Sequence, residues 1–228
     1  MGQTILAGDP PITVTLKRSA RARRLVLRVS RHDGRVTLTL PDHVSERKAM
    51  DFARTREGWL REALSALPPT EAVGPGTRLP VLGQALVLAP ARVRAPRREG
   101  DVLVVPEGRP AAATAAWLKA LARDRLAEAS DRHAARLGRP YSALRLRDTR
   151  SRWGSCSSEG ILMYSWRLVM APEAVLDYVA AHEVAHLARM DHSPAFWEVV
   201  ARLCPDHARH RRWLREHGGS LHRFAFAD

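Results

Sequence analysis

Residues 181–197 read AHEVAHLARMDHSPAFW. His182 and His186 stand four apart, Glu183 follows the first directly, and His192 lies six residues beyond the second. On a helix, side chains four apart share a face, so the two imidazoles can converge on one ion. Val175, Tyr178, Val179 and Ala185 turn that side of the helix inward. Histidines on an inward face need a reason to be there, and ligation of zinc by neutral imidazole supplies one. Glu183 points to the edge of such a site, where it can take a proton from a bound water. The helix must then stop so that a third ligand can fold back. Asp191-His192-Ser193-Pro194 is a suitable turn and His192 the preferred ligand, with Glu198 and Asp206 as alternatives. Three protein ligands and one open position form a catalytic zinc site rather than a structural one, and zinc lowers the pKa of its water to about 7.

Working outward, Pro172 and Glu173 start this helix, which is expected to run to about Ala188 or Met190. A second helix is predicted from Ser193-Pro194 to Leu203, and a third from Pro205-Asp206 to Gly218-Gly219. Before them, Leu144–Arg147 and Ile161–Met170 read as strands on either side of a polar loop at Ser151–Gly160. Ala111–Leu137 is an amphipathic helix closed by Gly138 and Pro140. Residues 70–108 hold short apolar runs at Leu79–Leu82, Ala85–Leu88 and Val102–Val105, read as small strands. Further upstream, Ile12–Leu16, Arg24–Val29 and Arg35–Leu40 read as strands, the last two as a hairpin through His32-Asp33-Gly34. Ser45 is a candidate cap for a helix to about Leu67, with Phe52, Trp59, Leu60 and Leu64 on its buried side. The expectation is an α+β protein: a basic β-rich region with one helix over 1–108, then a catalytic domain over 109–228. No internal repeat is evident.

The 228 residues are 45% apolar, enough for a core. No stretch of eighteen apolar residues and no charged start before an apolar run is seen, so neither a membrane span nor a signal peptide is expected. Two distant cysteines, Cys156 and Cys204, make no disulfide framework, and a reduced cytoplasmic setting fits best. The net charge is +13, with its densest run at Lys17–Arg31, KRSARARRLVLRVSR. Arg21, Arg23 and Arg24 are therefore candidate polyanion contacts and DNA a candidate partner, the alternative being a solvated basic face. His207, His210 and His217 lie on a basic C-terminal helix, where a second metal site or a solvated face are the two readings.

Four motifs stand in order: RWGSCSS at Arg152–Ser158, WRLVMAP at Trp166–Pro172, HEVAH at His182–His186 and DHSPAFW at Asp191–Trp197. Together they resemble the YgjP-like metallopeptidase family, which is related to the SprT-like zinc proteases. The resemblance covers nearly the whole chain. It implies a zincin-type fold and peptidase chemistry, with His182, His186 and His192 matching the ligands of one zinc ion and Glu183 the catalytic glutamate. It departs at Ser165, where the family often has Asn before WRL. Arg189 occupies the position of the metzincin glycine, so the chain is not a metzincin.

In zincins an edge strand near the metal pairs with extended substrate, and Ile161–Met170 is the candidate here. Tyr164, Arg152 and Arg167 are the candidates for stabilising an oxyanion, each with a structural alternative. Trp153 and Trp166 are expected to pack the walls, and Cys156 is either a small buried residue or an inhibitory thiolate. The expected function is zinc-dependent hydrolysis of a protein or peptide. The alternatives are a nucleic-acid-binding protein with a structural zinc, a DNA-assisted protease, and a hydrolase of non-peptide amides.

Overall fold

A computed structural model describes residues 2–30, 34–66 and 69–227. The chain divides into two compact units, Met1–Pro69 and Thr70–Asp228.

In the first unit, β1 (Gly2–Leu6), β2 (Ile12–Arg18), β3 (Val26–Val29) and β4 (Val36–Leu40) form one sheet in the order β1-β2-β4-β3. The outer pairs are antiparallel, and β2 and β4 are parallel, with Leu16 opposite Leu38. Alternation along β2 and β4 sends Ile12, Val14, Leu16, Val36, Leu38 and Leu40 to one buried face, as period-two side chains must. The turn expected between β3 and β4 at His32 and Asp33 lies outside the described residues.

The helix expected from Ser45 to Leu67 is two helices, α1 (Glu46–Thr55) and α2 (Glu57–Ser65). Ser45 caps the first by accepting a hydrogen bond from the Lys48 amide, 3.3 Å. The break falls at Arg56, just after Thr55 returns its hydroxyl to the Phe52 carbonyl at 2.8 Å. That break re-phases the chain: Leu60 is fully buried with Ala49, Met50 and Ala53, while Trp59, expected inside, is 47% exposed.

The second unit opens with β5 (Glu71–Ala72), then β6 (Arg78–Val81), β7 (Gln84–Ala91), β8 (Arg97–Glu99) and β9 (Val102–Pro106). The last four form a sheet in the order β6-β7-β9-β8, with antiparallel outer pairs and a parallel central one. This is the strand order and pairing of the first unit's sheet, again followed by a helix, so a structural repeat exists that the sequence does not display. The long helix α3 (Pro110–Leu137) ends at Gly138 in the left-handed region, φ 70°, where glycine carries no steric cost. Leu79, Leu86, Leu88, Leu103 and Val105 from this sheet share one core with Leu118 and Leu126 of α3. For that reason the chain divides at residues 69–70, and the division expected near residue 108 runs through a single hydrophobic core.

Beyond α3 come β10 (Ala143–Arg147), β11 (Gly154–Cys156) and β12 (Ile161–Ser165). The strand expected over Ile161–Met170 stops at Ser165, and Trp166–Met170 is a wholly buried 3-10 turn. Next are α4 (Glu173–Ala185), α5 (Pro194–Leu203) and α6 (His207–His217). After a 3-10 turn at Gly218–His222, β13 (Phe224–Ala225) pairs in parallel with β5. No described helix is long and apolar enough to cross a membrane.

Candidate metal centre

Helix α4 is the most enclosed in the chain. Val175, Leu176, Tyr178, Val179, Ala180, Ala181, Val184 and Ala185 are all buried, so it is apolar nearly all round and runs through the core. His182 sits in its last turn and His186 caps it, which makes the helix shorter than expected from the sequence. The chain then turns. Arg189 donates its amide to the Ala185 carbonyl at 3.1 Å, and the Asp191 carboxylate accepts the Ser193 amide at 3.1 Å. This Asx turn brings His192 back over α4.

The three histidines offer ligand atoms that all lie within 4.8 Å of one another, the one such group of His, Cys, Asp or Glu among the described residues. The Nε2 atoms of His182 and His192 are 3.2 Å apart. Two nitrogens bound tetrahedrally to one zinc at its usual bond lengths stand about 3.3 Å apart, so the donor set fits the ion. His186 directs Nδ1 to the Arg189 carbonyl, 2.9 Å, which leaves Nε2 as the atom able to hold a metal. His182 Nδ1 is buried with no hydrogen-bond partner. Phe196, fully buried on α5, stacks on His186 at 4.4 Å, and Trp197 packs beside His182 and His192. Burial, followed by the neighbouring His186 and His192, pushes the His182 pKa down to about 3, and burial lowers that of His186. Both therefore hold the neutral form that binds metal. Glu198 is exposed and Asp206 precedes α6, and neither joins the group.

Glu183 is 5% exposed, and burial, opposed by Arg152, raises its pKa to about 8. Its carboxylate lies against the backbone of β11: a Cβ on Gly154 would stand 2.5 Å from Glu183 Oε1. The three-stranded sheet has the order β10-β12-β11, so β12 is bonded on both sides and cannot receive a further strand. The edges are β10 and β11, and the one against Glu183 is β11, inside the segment expected to be a loop, with Gly154 as the sequence signal for a close approach.

Of the oxyanion candidates, Tyr164 is fully buried with its hydroxyl 3.0 Å from Ser130 Oγ, and burial raises its pKa. Arg167 is also buried. It grips the Asp148 carboxylate with two nitrogens at 2.7 and 3.1 Å and donates to the Leu221 and Phe224 carbonyls, each at 3.1 Å. Both side chains are buried and hydrogen-bonded within the protein. Arg152 is exposed and close enough for its charge to act on Glu183. Trp153 packs on Gly218 and His222, and Trp166 is buried. Burial and then Glu183 push the Cys156 pKa up to about 11, and Cys156 stands outside the histidine group. His207, His210 and His217 lie on Trp197, Tyr178 and Trp213 in turn and do not form a metal group. In the first unit, Arg21, Arg23 and Arg24 are exposed between β2 and β3.

Three converging imidazoles on and beside a core helix, with a buried carboxylate next to them, make the kind of site found in metal-dependent hydrolases. The profile of the YgjP-like metallopeptidase domain matches residues 23–217, and the chain belongs to that family. No curated protein matches it. Among solved structures it is similar to the metallopeptidase zymogen abylysin from Pyrococcus abyssi, at 21% identity, over 40% of this chain and 93% of that one, with a TM-score of 0.36.

Proposed function

We propose that the chain is a zincin-type, zinc-dependent peptidase, with His182, His186 and His192 as ligands and Glu183 as general base. The observation that carries this reading is the 3.2 Å approach of His182 and His192 beside a glutamate sealed against an edge strand. Bound by these imidazoles, zinc supplies the Lewis acid that polarises a water and the scissile carbonyl. Substrate adds as an extended strand along the open edge of β11, its backbone held by main-chain hydrogen bonds. Glu183 takes the proton of the attacking water and delivers it to the departing amine nitrogen. Arg152 faces the charge that develops on the carbonyl oxygen. The two cysteines are unpaired, which suits a cytoplasmic setting.

The test compares cleavage of an unfolded protein by the metal-loaded chain and its Glu183→Gln variant, with metal content measured for both. Loss of a general base costs about 10²–10⁴-fold. The reading predicts that loss at unchanged metal content. Equal cleavage by the two, or none by either with metal bound, defeats it.

The exposed arginines of the first unit favour a second property, delivery on DNA. Binding would weaken with salt in proportion to the phosphates neutralised. Neutralising Arg21, Arg23 and Arg24 together should flatten that dependence, and binding insensitive to salt would remove the idea.

A further inference from the structure

One side of α6 faces the metal centre, and the chemistry above makes no use of it. His207 and Arg211 are four apart on that helix and both rest on Trp197. The His207 ring stacks at 5.8 Å, and the Arg211 guanidinium carbon lies 4.7 Å from a ring centroid. Trp197 in turn stands 5.6 Å from the His182 ring and 6.1 Å from the His192 ring. His210, on the same side of α6, is 6.4 Å from Tyr178, itself one turn before His182. The guanidinium therefore lies no more than about 10 Å from His182, the span of roughly three extended residues.

Some arginines of this unit are matched with acids: Arg167 with Asp148, Arg132 with Asp177, Arg223 with Glu71. Arg211 has no carboxylate within ion-pair distance among the described residues, and it is exposed. An arginine stacked on an aromatic face keeps its donors directed outward at little entropic cost. Placed beside a reaction centre without an internal acid, it favours an acid brought by the substrate and disfavours a cation.

We propose that Arg211, held on Trp197, determines specificity by pairing with a substrate carboxylate within about three residues of the scissile bond. This rests on the peptidase reading. The carboxylate can be an Asp or Glu side chain or a free C-terminus, and the same chemistry serves both.

The test uses metal-loaded wild type, Arg211→Gln, Arg211→Glu and Arg211→Lys. A bond cut in an unfolded protein is first mapped. Peptides spanning it then carry Glu, Gln or Lys at each of the three positions on either side, with a free or an amidated C-terminus. Wild type should favour Glu over Lys at one position by about tenfold in kcat/KM. Arg211→Gln should abolish that preference, Arg211→Glu reverse it, and Arg211→Lys retain part of it. A preference that follows amidation instead assigns the carboxylate to the C-terminus. A second readout is direct binding of a fluorescent Glu peptide to Glu183→Gln, which adding Arg211→Gln should weaken about tenfold. Metal content and melting temperature of each variant separate specificity from folding. Cleavage with no preference for acid, or a preference that Arg211→Glu leaves in place, overturns the proposal and leaves the peptidase standing. Cleavage of no peptide by metal-loaded wild type overturns both.

Discussion

The contact between β11 and Glu183 can be broken by a single methyl group. In Gly154→Ala the new Cβ would stand 2.5, 2.6 and 2.7 Å from Oε1, Cγ and Cδ of Glu183. Ordinary contact needs about 3.5 Å, so the overlap is close to 1 Å along much of the side chain. Gly154 has no positive φ, so alanine fits the backbone there and the effect is purely steric. Glu183 belongs to a core helix and is 5% exposed, leaving its backbone little room to retreat. Either the side chain swings away or β11 is pushed out. Overpacking of this kind costs about 1–3 kcal/mol in stability. The greater cost is catalytic, because a displacement of about 1 Å at a reacting group lowers the rate on the order of 10²-fold. The three histidines are not among the atoms that the new Cβ meets. Peptide hydrolysis, metal content and thermal melting of Gly154→Ala should therefore give a rate near one hundredth of wild type, full metal and a modestly lower melting temperature. Activity within a factor of two, with full metal, would refute the assignment of Glu183 to the water-facing position against β11.

Three further outcomes follow from the same packing. Tyr164→Phe should cost about 1 kcal/mol in unfolding experiments for the lost Ser130 hydrogen bond and leave kcat unchanged; a tenfold fall in kcat would return Tyr164 to the reaction. Arg167→Ala strips Asp148 and two carbonyls of their donor. Water can solvate Asp148, whose side chain is 45% exposed, but each of the two buried carbonyls left without a donor costs about 1–3 kcal/mol, and the melting temperature should drop on the order of 10 °C by calorimetry. Arg167 holds the Asp148 carboxyl below its ordinary pKa against the opposing pull of burial. A depressed folded pKa stabilises at pH above the unfolded value, about 3.9, and is lost as pH falls through the folded one. Asp148→Asn should thus be less stable than wild type at pH 7, with the gap closing in denaturant titrations as the pH drops below 4; a gap independent of pH would contradict this.

The helix of the candidate metal centre is legible because its information is local. His182, Glu183 and His186 are related by helical spacing, and His192 by a short turn whose Asp and Pro announce it. The same holds for α3 and for the Ser45 cap. Other features rest on partners distant in sequence. Ile161–Ser165 carries the apolar residues of any buried strand, and nothing within it says that β10 and β11 occupy both sides. Gly154, Ser155 and Cys156 are too short a run to read as a strand. Trp59 is exposed because the helix breaks at Arg56, and a single helix from Ser45 would not contain that break. The two four-stranded sheets share a pattern of pairing and little sequence, so their likeness escapes inspection of residues. Arg211 reads as one more arginine among many until Trp197 is seen beneath it.

Arg167 holds the carbonyls of Leu221 and Phe224, and β5 finds its partner at Phe224 and Ala225. These contacts set an order of events during synthesis. The HExxH helix emerges some forty residues before the strand that closes the unit. Until residue 225 has left the ribosome, Glu71 and Ala72 lack their ladder and Arg167 lacks two of its acceptors. An unfinished chain therefore carries His182, Glu183, His186 and His192 before the ladder between β5 and β13 can close the unit around them.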